Sequence, residues 1–535
     1  MDDAVTTRRG LLRAGAVLAA AAGAGVLTAA PAAASARRPP VRRTPGPQRR
    51  TRPVLPAPAP GAPGDLRHLL LRTTYGLTPA LLAEATALGP AAWLDRQLAP
   101  STIEDSACDA VVARFPAYAM DPPQVHATYD DGSWEPMLAT VRTAFVRACW
   151  SRRQLLEVMV EFWSNHLNTT APSSGVWSSK GFEDRTVIRP HALGRFSDLL
   201  LASASSPAML RYLDGAESRG SDPNENYGRE LLELHTVGRD AGYTQAEVVD
   251  TARALTGRTT WTPWNGGTAA NLGLFGFRAD WHHVGPLAVL GWTSANTSDG
   301  QAVGDSLLRH LATHPATAAR IAHKLCVRFV SDDPPAALVA RLAQVYLASG
   351  TAVVPVLRAL FASPEFAASA GGKQRRPYED VVASVRVLGI EPAPTGTETR
   401  GIADVCWGLH ELGQAPFGWH PPDGYPDVAA AWTGTGTALG RWNLHTGLAQ
   451  GWWQGGLRYP GATLAARLLP GPLPATRAEL VARTADRLTV PLPQAHLDAL
   501  VTFLGGPGPV REWDLGGVYS VLVALVLDSP LWSAR

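Results

Sequence analysis

The chain has 535 residues, 46% of them hydrophobic and 18% charged, with a net charge of +2. That balance suits a globular protein with a large core, excludes a disordered chain, and gives no electrostatic case for nucleic acid. Only Lys180, Lys324 and Lys373 among the 48 basic residues are lysines, a bias towards arginine that goes with the abundance of Gly, Pro and Ala.

Taken in order, residues 1–36 read as a signal peptide. Thr7-Arg8-Arg9-Gly10-Leu11-Leu12-Arg13 precedes a mildly apolar Ala/Gly run and a small-residue cleavage site at Ala34-Ser35-Ala36. Paired Arg8 and Arg9 in that setting predict twin-arginine export, which carries folded proteins to an extracellular or envelope location. Residues 37–64 are rich in Pro and Arg, without apolar periodicity, and are expected to form a disordered linker whose charge suits contact with an anionic envelope. No later run of about 18 apolar residues predicts a transmembrane anchor.

From Asp65 the pattern is helical nearly to the end. Helices are expected over 66–73, 78–88, 93–98 and 155–168, the last with Glu157, Glu161, Ser164 and Asn168 as a polar stripe between two apolar sides. The stretch 222–238 reads as one helix of about four turns: Asp222 as cap, Pro223 at the first position, Glu225 three residues after the cap, and Gly238 at the end. At ~100° per residue Tyr227, Leu231 and Leu234 share one side, and Glu225, Asn226, Arg229, Glu230 and Glu233 the other. Thr244 and Glu247 form a capping box, and 261–292 reads as a loop with one or two small hairpins. His314-Pro315 opens a helix to 330 on which Arg320, Lys324 and Arg328 align at i, i+4, i+8. Ser-Pro steps at 206, 363 and 529 each predict a helix stop followed by a new N-cap. Residues 413–455 are dense in aromatics. The expected fold is mainly α: a multi-helix body over 65–390 with a small β-hairpin insertion, and an aromatic-rich helical lobe over 391–535 packed on it as one unit.

Glu230 and Glu233, three residues apart, put two carboxylates on one helix face, where such a pair holds a divalent metal or divides acid and base roles. Arg229 beside them equally suits a solvated ion-pair ladder, and His235, five residues after Glu230, misses the Glu-x-x-His spacing of di-iron sites. His166 ends an apolar helix with Asn165 and Asn168 beside it, which makes it a candidate base or ligand. His282 is the further candidate that would complete a two-histidine, one-carboxylate set with His166. Lys324 stands out because a lysine in an arginine-writing chain points to a need for its compact ammonium. Cys108, Cys149, Cys326 and Cys406 lack a C-x-x-C pair, which argues against zinc-ribbon and thioredoxin-type sites and leaves both disulfides and free thiols open. No G-x-S-x-G, Walker A or G-x-G-x-x-G motif is present.

Glu161-Phe162-Trp163-Ser164-Asn165-His166, together with residues 223–238, 243–257, 314–335, 360–366 and 413–443, stands in an order that resembles the bacterial family catalogued as domain of unknown function 1800, over roughly 65–535. The resemblance implies a mostly helical, commonly exported protein, often encoded beside a second exported family related to sulfatases and alkaline phosphatases. One departure is visible. Where that family's pattern expects His-Asp-x-Gly-x-Lys, this chain has His282-His283-Val284-Gly285-Pro286-Leu287. Two functions are therefore expected: a metal-assisted hydrolase with a pocket built around 222–238, His166, His282 and Lys324, or a non-catalytic partner of a neighbouring secreted sulfatase- or phosphatase-like protein.

Overall fold

Short polar caps decide where the helices start. Asp65 accepts from the Arg67 amide and Thr78 from the Leu81 amide, opening Leu66–Thr73 and Pro79–Leu88. The three Ser-Pro steps behave as expected, with Ser206, Ser363 and Ser529 each accepting an amide of the first turn they open. Thr244 and Glu247 exchange side-chain and backbone hydrogen bonds, as a capping box requires. These local contacts punctuate a chain that is mainly α, described in a computed structural model for residues 65–297, 300–394, 396–453, 455–459 and 463–535. The twin-arginine segment and the linker lie outside the described residues.

The core is organised on the helix Pro377–Leu388, of whose residues all but Arg386 are buried. The Glu135–Trp150 helix packs on one side of it and Thr435–Gln450 on another, and the latter in turn packs on Gly517–Leu527. A helix buried all round supplies apolar contact in every direction, which draws the described residues into one compact unit. The His166-bearing helix Gln154–His166 and the Lys324-bearing helix Pro315–Phe329 are both part of this body. The expected insertion consists of two hairpins: Arg258–Thr260 pairs with Phe275–Phe277, and Leu287–Val289 with Trp292–Ser294. The second turns on Leu290-Gly291, both at positive φ, the conformation of a tight hairpin. A third pairing, Glu391–Pro392 with Leu457–Arg458, was not foreseen. All four cysteines are free and buried.

The stretch 222–238 departs from its reading. Asn224, not Asp222, is the cap, its side chain accepting from the Tyr227 amide at 2.9 Å. The α-helix covers Glu225–Glu230 and widens into a π turn over Leu231–His235. Thr236 holds that turn, donating its hydroxyl to the Leu231 carbonyl five residues back at 2.7 Å. The extra residue per turn advances the phase, so Leu232 joins Leu231 in the core, Leu234 is only half-buried, and His235 swings inside.

A candidate active site at Lys324

Three elements converge on the end of the Gln154–His166 helix. His166 is buried, and its Nε2 lies 3.0 Å from the His235 carbonyl. A carbonyl can only accept, so Nε2 carries the proton and Nδ1 is left as an acceptor. The Lys324 amine lies 3.0 Å from that Nδ1. The π turn thus has a chemical consequence: it delivers the one carbonyl that fixes the His166 tautomer facing Lys324. Burial, reinforced by Lys324, holds the imidazole well below its ordinary pKa, so His166 is neutral. Burial and the nearby Arg320 pull Lys324 down from 10.5 to about 7, with Asp423 opposing.

Asp423 belongs to the aromatic loop after Phe417, which forms the roof. The two asparagines flanking His166 in the sequence are its fasteners. Asn165 exchanges two hydrogen bonds with the Tyr425 backbone at 2.8 and 2.6 Å, and Asn168 donates to the Trp419 and Pro421 carbonyls, each at 2.8 Å. Gly424, at φ +76°, passes so near the helix that a Cβ there would stand 2.0 Å from the Asn165 carbonyl oxygen. Between roof and helices lies a cleft of about 400 Å³ lined by His166, His323, Lys324, Asp332, Asp423 and Tyr425, among others.

The floor is ionic. Arg376 reaches Glu161 at 2.8 Å and Glu379 at 3.2 Å, Arg328 pairs with Glu379, and Arg535 approaches Glu379 at 3.0 Å. Lys373 holds Asp332 at 2.8 Å and Asp427 at 3.2 Å. Burial opposes ionisation of Asp427, but Arg376, Lys373 and Arg328 prevail and hold it at about 2. The polar stripe read in 155–168 faces inwards too: Glu157, Glu161, Ser164 and Asn168 line a small internal cavity of about 40 Å³.

The other candidates lie elsewhere or in lesser roles. Glu233 pairs with Arg239, while Glu225, Arg229 and Gln245 form a surface network, the ladder alternative for that face. Glu230 is half-buried and, among the described residues, has no hydrogen-bond or ion-pair partner; burial and then Glu233 raise its pKa, and Asp423 lies within electrostatic range of it. The His282 ring is taken up by the Thr256 carbonyl at 2.9 Å and Asn296 at 2.8 Å, packs on Gly300, and does not line the cleft. Among the described residues no three His, Cys, Asp or Glu side chains are placed together to hold a metal ion. The sequence reading missed His235, whose backbone does the work, and Asp423, which carries no motif.

A family described as protein of unknown function (DUF1800) has a sequence model that matches residues 68–534. The chain belongs to that family. No curated protein and no solved structure matches this DUF1800 chain. Its functional reading therefore rests on the cleft.

Proposed function

We propose that this DUF1800 protein is an exported enzyme, a hydrolase whose proton acceptor is the Lys324 amine. The observation that carries the reading is the 3.0 Å contact between Lys324 Nζ and a neutral, tautomer-fixed His166 on an open cleft of about 400 Å³. An amine with a pKa of about 7 is part neutral at physiological pH, which is the match between base strength and operating pH that acid–base catalysis favours. His166 positions the amine. The donor set for a metal-assisted version is not assembled, so the amine takes the place that a metal-bound water held in the expectation from sequence. Export is supported by the Arg8-Arg9 pattern of residues 7–13.

The test uses the scarcity of lysine. Acetic anhydride labelling followed by peptide mapping from pH 5 to 9 reads each lysine separately. Lys180 and Lys373 are buried in ion pairs, so Lys324 is expected to label alone among the lysines, half-maximally near pH 7. Turnover in a panel of chromogenic esters should follow the same pH midpoint and vanish in Lys324→Met. A Lys324 that titrates near 10, or turnover indifferent to Lys324→Met, would sink the proposal. Replacing Arg8-Arg9 by Lys-Lys should retain the protein in the cytoplasm.

A further inference from the structure

A second cleft, of about 560 Å³, shares no residue with the one at Lys324. It lies between the helices Pro79–Leu88 and Pro90–Gln97, the turn after Trp150, and the C-terminal end of Pro377–Leu388. Arg96, Arg152, Arg386, Arg467 and Arg487 line it, against Glu84 and Glu391. Both carboxylates are engaged: Glu84 by Arg96 at 2.8 Å and Arg152 at 3.3 Å, Glu391 by Arg458 at 3.9 Å. That leaves three guanidiniums with no carboxylate in ion-pair range among the described residues.

Arg386 is held in place without being neutralised. Arg386 donates to the Cys149 carbonyl at 2.8 Å and the Gly76 carbonyl at 3.4 Å. Burial draws its pKa down to about 10. Arg467 lies across Gly389, where an added Cβ would stand 2.4 Å from both Nε and Nη2. Arginines at a helix end commonly bond its last carbonyls, yet Arg467 makes no such bond and its Nε is a buried N–H without a partner. Burial, and then the charge of Arg467, lowers the pKa of Arg487, with the neighbouring Asp486 opposing from beyond ion-pair range. Like charges are thus crowded and desolvated on one concave surface, an arrangement that is costly until an anion enters it. Guanidinium forks match the oxygens of phosphate and carboxylate groups.

We propose that this cleft binds a small oxyanion-bearing molecule, its charged group gripped by Arg467 and Arg487 with Arg386 behind. The cavity is far larger than a bare phosphate, and Trp93, Trp150 and Ile103 give it an apolar wall. The ligand therefore carries an organic body as well as its anionic group. The site stands independently of the proposed chemistry at Lys324.

Isothermal titration of the full chain at pH 7 and low ionic strength, with inorganic phosphate, tripolyphosphate and citrate, tests it. Saturable one-to-one binding is expected for at least one of them. Preference for the phosphates assigns a tetrahedral group, and preference for citrate a carboxylate. Arg467→Gln and Arg487→Gln should each weaken binding at least about tenfold, the loss of a charge-assisted hydrogen bond, whereas Arg309→Gln, at an exposed arginine elsewhere, should leave it unchanged. Melting curves without anion check that the variants fold; if either fails, Arg487→Lys, which keeps the charge and removes the fork, should still weaken binding. Absence of saturable binding by the unaltered chain, full binding in the folded cleft variants, or an equal loss in Arg309→Gln overturns the proposal.

Discussion

Lys324 loses most of its ordinary basicity because the fold surrounds it with too little water and places Arg320 nearby. A lysine whose folded pKa lies below its unfolded value weakens the fold while it is charged in both states. The penalty is complete below pH 7 and disappears as pH rises towards 10.5. Lys324→Met should therefore be more stable than the natural chain in urea at pH 6, by roughly 1–2 kcal/mol once the openness of the cleft is allowed for. The gain should shrink steadily above pH 7. His445 works in the opposite sense. Burial disfavours its charge, but Asp380 and Asp528, the latter at 2.8 Å, lift it to about 9. Its folded pKa exceeds the unfolded 6.5, so its contribution is complete below 6.5 and lost as pH rises through 9. At about 1.36 kcal/mol per unit that amounts to about 3 kcal/mol. His445→Gln should lower the urea midpoint at pH 6 and leave it little changed at pH 9.5. Residue types alone singled out Lys324. All three lysines do what arginine, with its longer planar fork, fits less readily: Lys180 sits beneath Phe417 against Glu183, Lys373 between two aspartates, and Lys324 on His166. That Lys324 meets His166 was not legible, because 158 residues separate them and no spacing joins the two stretches that hold them.

Helix caps and hairpins were readable because their signals are local. Ser206, Ser363, Ser529 and Thr244 each act within a few residues of themselves. The π turn was not, since an ideal 100° wheel cannot register an inserted residue, and it put Leu234 in the core with Leu231, where the structure leaves it half-buried. Thr236→Val should remove the hydroxyl that holds the turn open, at a cost of about 1 kcal/mol. Because the turn supplies the carbonyl that orients His166, the same change should displace the pH midpoint of Lys324 labelling, which a purely structural defect far from the cleft would leave alone. The sequence showed the aromatic loop only as a dense run of rings. It is an anchored roof, and its fasteners are Asn165, Asn168 and the bare Cα of Gly424. In Gly424→Ala, hydrogen exchange over 419–427 should rise sharply while the Pro377–Leu388 helix keeps its protection.

On the scale of the whole molecule, the mainly α architecture followed from periodicity, whereas the cleft came from topology that periodicity does not encode. The acidic face of 225–233 had the strongest sequence signal, yet most of its charge is spent on Arg229, Gln245 and Arg239 at the surface. Asp427 has no motif and sits among the cleft's cations. Removing its charge in Asp427→Asn strands Lys373, Arg376 and Arg328 around one missing counter-charge, and should cost about 3–5 kcal/mol. In the natural chain its folded pKa of about 2, below the unfolded 3.8, makes its share of stability complete above pH 4 and lost as pH falls towards 2. Acid unfolding of Asp427→Asn should show a shallower slope in that window.

The ionic floor draws Glu161 from one end of the fold, Arg328 and Arg376 from its middle, and Arg535 from beyond a backbone pairing of residues 533–535 with 373–375. A ribosome releases those groups in order, so once Glu379 is made it has Arg328 and Arg376 at hand and waits for Arg535 until the last residues emerge. The walls of the cleft are complete long before its floor. A stalled or clipped product that lacks residues 533–535 would retain Lys324 and His166 and lose the Arg535 contact with Glu379 beneath them. The order in which the chain emerges thus makes residues 533–535 the ones that close the floor.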